Sequence, residues 1–257
     1  MAGPILLVAA LVAAGVAVVL GLNNPDGPRR QASDPAFQVP DLAVEPGSAV
    51  PAPTSVAPDG ARSTGPRPTT AAVRDWATAL SEKIEIPVRS LVAYAEAELA
   101  VREATPNCKI TWATLAGVGR VESHHGRYGG SEIGDDGQLS PPIIGIPLDG
   151  SPGVQAIVDT DGGRLDGDTT WDRAVGAMQF LPTTWERWGA RAEADGAEPD
   201  PQDIDDAALS AARYLCASGG DLSSPAGWWD AVLTYNASTT YGQNVFSGAE
   251  AYAKAAG

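Results

Sequence analysis

The strongest constraint on how this chain can fold is the distribution of proline. Ten of its 21 prolines fall between Asn23 and Thr70, mostly among alanine, serine, glycine and aspartate. Proline lacks the backbone N–H that helices and sheets use, and no apolar periodicity survives in this stretch. The pattern predicts a disordered, partly extended Pro/Ala-rich linker over residues 23–70. It leaves residues 71–257 as the segment able to build a packed domain.

A nearly uninterrupted apolar run precedes the linker. Residues 4–22 carry no charge, and the run is about long enough to cross a bilayer as a helix. Three interpretations are open: an uncleaved membrane anchor, a cleaved signal peptide, or a buried core helix. The proline-rich sequence that follows gives a core helix nothing to pack on, and the run lacks the basic start and the cleavage site of a signal peptide.

Residues 1–22 are therefore predicted to form a transmembrane anchor. We expect a single-pass protein of the cell membrane with its folded domain extracytoplasmic, or a secreted protein if the segment is cleaved. The two cysteines, Cys108 and Cys216, agree with export, because in an oxidising compartment they could close a loop of about 100 residues. The alternative is a pair of buried free thiols.

The formal charge of −15 and the pI of about 4.4 exclude two kinds of partner. Binding to nucleic acid needs a basic face that neutralises phosphates, and an anionic membrane surface repels an acidic protein. We expect neither a nucleic-acid partner nor electrostatic docking on a membrane.

Apolar residues recur at helical spacing after residue 70. In the first such segment Val73, Trp76, Ala77 and Leu80 fall at i, i+3, i+4 and i+7, and no strand pattern of useful length appears later in the chain. Capping residues and prolines mark helix starts, and glycines mark several ends. The predicted fold class is all-α, with helices over residues 71–83, 87–104, 111–126, 182–189, 201–219, 225–236 and 239–255.

Residues 128–170 form a long Gly-, Pro- and Asp-rich segment, which is typical of a functional or disordered loop. Its aspartates do not fit the ligand spacing of an EF-hand. Residues 191–202 do not fit that spacing either, because Arg191 and Gln202 occupy the first and last ligand positions. His124 and His125 are adjacent, so they point to different sides of a helix and lack the spacing of a zinc site. We predict no metal and no cofactor, and we expect the histidines at a helix end or a groove rim.

The helix that begins at Thr111 carries the most unusual carboxyl group. Trp112, Leu115, Gly119 and Glu122 fall on one stripe, which is apolar until it reaches Glu122. A carboxyl group at the end of a buried face is partly desolvated, which raises its pKa, and a carboxyl that is still protonated near neutral pH can act as a general acid. The alternative is a solvated surface glutamate, since most helical glutamates are exposed.

Amide and aromatic side chains accompany this carboxyl group along the chain. Gln179 lies among apolar neighbours, Asn236 continues the apolar stripe of its helix, and Tyr235 and Tyr241 flank that position. Amides can bond sugar hydroxyls and aromatic rings, including tryptophans in several helices, can stack on sugar faces. A raised glutamate pKa supplies the acid for cleavage of a glycosidic bond.

Four motifs in order resemble those of the lytic murein transglycosylases of the membrane-bound B type. Residues 118–127, VGRVESHHGR, resemble the catalytic-glutamate motif, and residues 176–185, GAMQFLPTTW, resemble the second motif. Residues 200–215 resemble the Asp-rich helix that follows, and residues 235–241, YNASTTY, resemble the Tyr-Asn motif with its trailing tyrosine. The resemblance covers residues 71–257 and implies a lysozyme-like transglycosylase domain of an actinobacterial kind.

The family resemblance implies cleavage of the MurNAc-β-1,4-GlcNAc bond of peptidoglycan without water. Glu122 would protonate the leaving oxygen and then, as a carboxylate, take the proton from the muramyl C6 hydroxyl, which closes a 1,6-anhydro ring. By the same resemblance, Gln179, Thr183 and Asn236 would hydrogen-bond the sugars, and Tyr235 and Tyr241 would shape the groove. Peptidoglycan strands are the expected partner of a monomeric protein.

The sequence departs from the family in two places. The second motif lacks residues that enterobacterial members carry between its methionine and glutamine, and the calcium loop of the family is degenerate, so the metal is not carried over. Two other functions stay open. One is a hydrolase of the same fold that uses a second carboxylate from Asp159, Asp161, Asp166 or Asp168. The other is a wall-binding module without catalysis.

Overall fold

The computed structural model describes residues 37–56, 68–193 and 195–257, and within them the chain is mostly helical, as its sequence predicts. A 3₁₀ turn, Tyr128–Gly130, and a two-residue antiparallel pair, β1 (Glu132–Ile133) and β2 (Leu139–Ser140), interrupt the helices. The seven α-helices in these residues are α1 (Thr70–Ile84), α2 (Val88–Ala104), α3 (Trp112–Ser123), α4 (Pro182–Trp188), α5 (Ile204–Gly219), α6 (Pro225–Tyr235) and α7 (Thr239–Ala256).

None of the helices in the described ranges combines the length and the apolar character needed to cross a bilayer. The anchor predicted over residues 1–22 lies outside those ranges.

Side-chain caps fix where the helices begin. The Thr111 hydroxyl accepts a hydrogen bond from the Thr114 N–H at 3.2 Å, as expected, and serines precede α6 and α7 in the same role. Two predicted boundaries are wrong. α5 begins at Ile204, because the Asp203 carboxylate, and not Asp200, accepts the free N–H groups of the first turn. α3 ends at Ser123, because His124 already adopts a left-handed conformation.

α3 is the central helix, and most of its residues are buried. It packs most extensively against α7, and Gly117 makes this possible, because a side chain there would collide with the Val245 carbonyl of α7. Trp112, Trp228 and Trp229 are buried in this core. The expectation that tryptophans line a groove is therefore wrong for these three, which supply packing area instead.

Residues 37–56, which the proline content predicts to be part of a disordered linker, lie along the helical domain in an extended conformation. We call them the N-terminal arm. Apolar side chains of the arm pack on the core, Val56 is fully buried, and the Phe37 ring stacks on Tyr252 of α7 at 5.5 Å. The prediction is wrong for these residues, because side chains of the helices accept hydrogen bonds from the N–H groups of the arm. Leu42 N–H donates to Ser247 at 2.9 Å and Ala52 N–H donates to Glu250 at 2.5 Å.

The buried carboxylate of Glu98, on α2, holds the end of the arm. It accepts hydrogen bonds from the N–H of Val56 at 3.3 Å and from the N–H of Trp112, the first residue of α3, at 2.7 Å. Burial raises the pKa of Glu98 to about 7, although these two bonds and the Arg102 charge act in the opposite direction.

The disulfide between Cys108 and Cys216 is present, which confirms the predicted pairing. It joins the α2–α3 connection to α5, with the two Cα atoms 5.3 Å apart and a separation of 108 positions in sequence. α5 also packs on α2 and α6. The bond therefore fastens the segment that leads into α3 to α5.

Candidate active site

Glu122 lies in the last turn of α3 and is half-buried. The Tyr241 hydroxyl, in the first turn of α7, donates a hydrogen bond to Glu122 Oε1 at 2.6 Å. Burial raises the pKa of Glu122 to about 7, while this hydrogen bond lowers it, because it favours the charged form. Close to neutral pH, the group is therefore present in both protonation states.

The two tyrosines near Glu122 remain neutral hydrogen-bond donors. Burial and the nearby Glu122 charge raise the pKa of Tyr235 and of Tyr241 well above their usual range. The Tyr235 hydroxyl donates to the Met178 carbonyl at 2.7 Å. Both phenols are therefore fixed by acceptors on neighbouring parts of the site.

The second motif forms a tight turn, residues 176–179, between Val175 and Phe180, whose backbones exchange hydrogen bonds of 2.9 and 3.0 Å. Gly176 has a φ of +77°, and a side chain there would collide with the Pro201 carbonyl, so only glycine allows this close backbone approach. Gln179 adopts a positive φ of 48° and donates from Nε2 to the Gly176 carbonyl at 2.9 Å. The turn thus fixes the side chain of Gln179.

Two hydrogen bonds attach this turn to the rest of the site. The Ser123 hydroxyl, next to Glu122, donates to the Ala177 carbonyl at 2.6 Å, and Tyr235 reaches Met178 as described. The end of α3, the second motif and the end of α6 are therefore held together around Glu122. This brings Glu122, Gln179, Tyr235 and Tyr241 into one region.

Thr183 and Asn236 make no hydrogen bond to Glu122, Gln179, Tyr235 or Tyr241 in the described structure. Thr183 is exposed in the first turn of α4, which Pro182 opens as predicted. Asn236 does not continue the stripe of α6, because its backbone is extended and ends the helix there. Its Oδ1 accepts the N–H of Ser238 at 3.2 Å, so it shapes the connection that leads to Tyr241.

The segment that follows Glu122 is strained. His124 and His125 have φ values of +51° and +62°, a region that costs an L-residue about 1 kcal/mol or more. Their N–H groups donate to the Arg120 and Gly119 carbonyls, which closes α3. His124 is exposed, whereas His125 is buried, so the expected helix-end role fits His125.

His125 lies between two buried tyrosines. Its Nδ1 is 3.3 Å from the hydroxyl of Tyr94 on α2, and its Nε2 is 3.0 Å from the hydroxyl of Tyr252 on α7. Burial lowers the pKa of His125 to about 3, and the nearby Arg127, His124 and Arg120 charges act in the same direction. The imidazole is therefore neutral, with one nitrogen accepting a bond from a tyrosine and the other donating to one.

The aspartates of the long loop bind their own backbone. Asp159 accepts from three N–H groups, of Asp161, Gly162 and Gly163. Asp168 accepts from two N–H groups and pairs with Arg173 at 2.9 Å, which lowers its pKa. Asp161 and Asp166 make similar bonds to the N–H groups of Leu165 and Arg173. These carboxylates are turn-forming groups.

Two carboxylate clusters in the described part of the chain have ligand atoms close enough to hold a cation, namely Asp159, Asp161 and Asp172, and Glu193, Asp203 and Asp206. In the second cluster the Arg191 guanidinium contacts all three carboxylates, with distances of 2.6 to 3.2 Å. In the first, Thr160 donates to the buried Asp172 from both its N–H and its hydroxyl.

Sequence reasoning missed Ser123, Tyr94 and Tyr252, and it did not find the partners of His125. Ser123 follows Glu122 directly, and a small hydroxyl in the last turn of a buried helix indicates a backbone acceptor nearby. Tyr94 and Tyr252 lie on helices distant in sequence from the motif. Their contribution depends on how α2 and α7 pack, which no local pattern encodes.

No protein-family model, curated protein or solved structure matches this chain.

Proposed function

We propose that this protein is a peptidoglycan lytic transglycosylase with a lysozyme-like domain, which cleaves the MurNAc-β-1,4-GlcNAc bond and leaves 1,6-anhydro-MurNAc ends. The observation that carries the proposal is Glu122, a carboxyl group with a pKa of about 7 at the end of a buried helix, held at 2.6 Å by Tyr241. A single group that is half protonated near pH 7 can donate a proton in one step and accept one in the next.

The reaction uses both states of Glu122. As the acid, it protonates the glycosidic oxygen, the bond to C1 of MurNAc breaks, and GlcNAc leaves with a free 4-hydroxyl. The C6 hydroxyl of MurNAc then attacks C1, and the Glu122 carboxylate takes its proton, which restores the acid. Tyr241 engages Oε1 and leaves Oε2 to carry the transferred proton.

In the proposed complex the sugars lie beside Glu122. Gln179 of the second motif, Thr183 in the first turn of α4 and Asn236 after α6 would hydrogen-bond them. Tyr235 and Tyr241 would shape the groove, since bonds to the Met178 carbonyl and to Glu122 hold their hydroxyls in place. Neutral polar and aromatic groups suit glycans, which carry hydroxyls and apolar ring faces and need no compensating charge.

A hydrolase needs a second carboxylate that activates a water. The loop aspartates are poor candidates, because their oxygens already accept backbone N–H groups or pair with Arg173. Burial and Tyr241 account for the pKa of Glu122 without a second carboxylate among the described residues. The transglycosylase is therefore the better-supported reaction.

The proposed setting is extracytoplasmic, on the membrane through residues 1–22 or secreted. The disulfide supports it, since such bonds persist in oxidising compartments. The proposed partner is the glycan strand of peptidoglycan, and the protein acts as a monomer.

The test is digestion of purified peptidoglycan by the full chain, with the new glycan ends identified by mass spectrometry. We expect anhydro-muramyl ends from the wild type and at least about a 100-fold lower yield from Glu122→Gln, since a general acid contributes about that much. Glu82→Gln is the matched control, because Glu82 is an exposed glutamate of α1, and it should retain activity.

Each alternative leaves a different product. Reducing muramyl ends would replace the transglycosylase with a hydrolase. Retention of the wild type on peptidoglycan without any cleavage would replace both enzymes with a wall-binding module.

A further inference from the structure

We propose that His125 is a positioning residue for Glu122, and that Tyr94 and Tyr252 hold its ring so that the turn after α3 keeps the carboxyl group against Tyr241. The inference rests on the proposed function where it concerns catalysis, but its structural part concerns only the side chain of Glu122. No role in binding or proton transfer is assigned to His125.

Every hydrogen-bonding group of His125 has a partner. Its N–H donates to the Gly119 carbonyl at 2.9 Å, its carbonyl accepts from the Ser90 hydroxyl at 3.0 Å, and its ring nitrogens contact Tyr94 and Tyr252. A residue with a φ of +62° is strained and keeps this conformation only if its surroundings fix it. Four contacts from α2, α3 and α7 provide that restraint.

Tyr94 reaches this position because α3 has a glycine one turn before Glu122. A methyl group at Gly119 would collide with the Tyr94 hydroxyl, and the Met178 sulfur lies next to the same place. The backbone that leads to Glu122 is therefore in direct contact with the tyrosine that bonds His125. Movement of this ring changes the packing of the turn of α3 that carries the carboxyl group.

α7 contacts the end of α3 at two positions. Tyr241 bonds Glu122 in the first turn of α7, and Tyr252 bonds His125 three turns later. Between them, Gly248 lies against Gly117, so the backbones of the two helices are close. Because α7 is held by both hydrogen bonds, it cannot rotate without breaking one of the two. The geometry at His125 is therefore linked to the distance between Tyr241 and Glu122.

The test measures the pKa of Glu122 in the full chain. NMR monitors the titration in protein labelled with ¹³C at the glutamate side-chain carboxyl carbons. The Glu122 signal is identified by its absence in Glu122→Gln. Tyr252→Phe and Tyr94→Phe each remove one hydroxyl and keep the ring. The groups that face Glu122 and His125 from other helices are Tyr235, Tyr241, Tyr94 and Tyr252, and all four stay neutral over the range titrated, since burial raises the pKa of each.

We expect the pKa of Glu122 to rise by about half a unit or more in each variant, because a looser turn lengthens the hydrogen bond from Tyr241 that lowers it. Leu80→Ala is the matched control: it opens a cavity on α1, lowers stability, and should leave the titration of Glu122 unchanged. A Glu122 pKa that is unchanged or lowered in both tyrosine variants would overturn the proposal.

Kinetics on peptidoglycan supply a second measurement. Tyr252→Phe should lower kcat by about tenfold with KM nearly unchanged, because the substrate contacts remain while the acid is displaced. If the wild type forms no anhydro-muramyl ends, the transglycosylase proposal fails, and the NMR titration still decides the role of His125.

Discussion

The Tyr241 hydroxyl and Glu122 Oε1 lie 2.6 Å apart, although the two residues are 119 positions apart in the sequence. This bond favours the ionised carboxylate, whereas burial favours the protonated acid, and the pKa of about 7 reflects both. Tyr241→Phe removes the hydrogen bond and leaves Glu122 buried. The pKa of Glu122 should therefore rise in this variant.

The pH dependence of activity reports this shift. In the proposed reaction cleavage needs protonated Glu122, so kcat/KM of the wild type should fall as the pH rises through about 7. In Tyr241→Phe this fall should move to higher pH, and kcat at its maximum should drop about tenfold, because the acid is less well oriented. A fall at the same pH in both proteins would contradict the assignment of the hydrogen bond.

Glu98 should make stability decrease as the pH rises. Its pKa is about 7 in the folded protein against an ordinary value of 4.5, so the folded state binds the proton more tightly. This contribution is fully present below pH 4.5 and is lost between about 4.5 and 7, and it amounts to about 3 kcal/mol.

Urea unfolding at several pH values measures this effect. Glu98→Gln should flatten the decrease between pH 4.5 and 7 relative to the wild type. Glu122→Gln should also flatten it, because the pKa of Glu122 is raised in the same direction. Glu82→Gln, on the exposed face of α1, should keep the wild-type decrease of stability with pH. The same decrease in Glu98→Gln would show that the Glu98 carboxyl does not cause it.

Loss of the disulfide should lower the free energy of unfolding by about 4 kcal/mol, because the bond closes a loop of 108 residues. A variant with serine at Cys108 and Cys216 should unfold at a lower urea concentration than the oxidised wild type. Wild type treated with reductant should behave like the variant. Equal midpoints for the oxidised and reduced proteins would rule out a stabilising role.

Backbone amides of the N-terminal arm should be protected from hydrogen exchange. The N–H groups of Leu42, Ala52 and Val56 donate to side chains of α7 and α2, although the arm has no regular secondary structure. Ser247→Ala should deprotect Leu42 and leave Val56 protected. Exchange of all three at the rate of an unfolded chain would restore the interpretation as a free linker.

The sequence allowed the helices to be placed well, because apolar spacing and caps such as Thr111 and Ser238 act within a few residues. It also predicted a desolvated carboxyl at Glu122, where the apolar stripe of α3 ends, and burial does raise the pKa of this group. The errors occur where partners are remote. The arm looks disordered by composition, yet Ser247, Glu250 and Glu98 supply its acceptors.

In the candidate site, too, features set by neighbouring residues could be predicted and features set by distant residues could not. The helix start at Pro182 could be predicted from local chemistry, and the structure agrees. The end of α3 could not, because His124 and His125 already enter the left-handed region before Gly126. His125 keeps this conformation through tyrosines 31 residues before it and 127 residues after it.

The Cys108–Cys216 bond also divides the chain into a closed ring and two open ends. Glu122, Gln179, Thr183 and the whole segment 128–174 belong to the ring, whereas Tyr235, Asn236 and Tyr241 belong to the carboxyl-terminal end. A single proteolytic cut anywhere in the ring opens it without releasing a fragment. The nicked protein would migrate as one species on a non-reducing gel, and after a cut in segment 128–174 the sulfur bridge alone would join the fragment with Glu122 to the fragment with Tyr241. After reduction the two fragments would migrate separately.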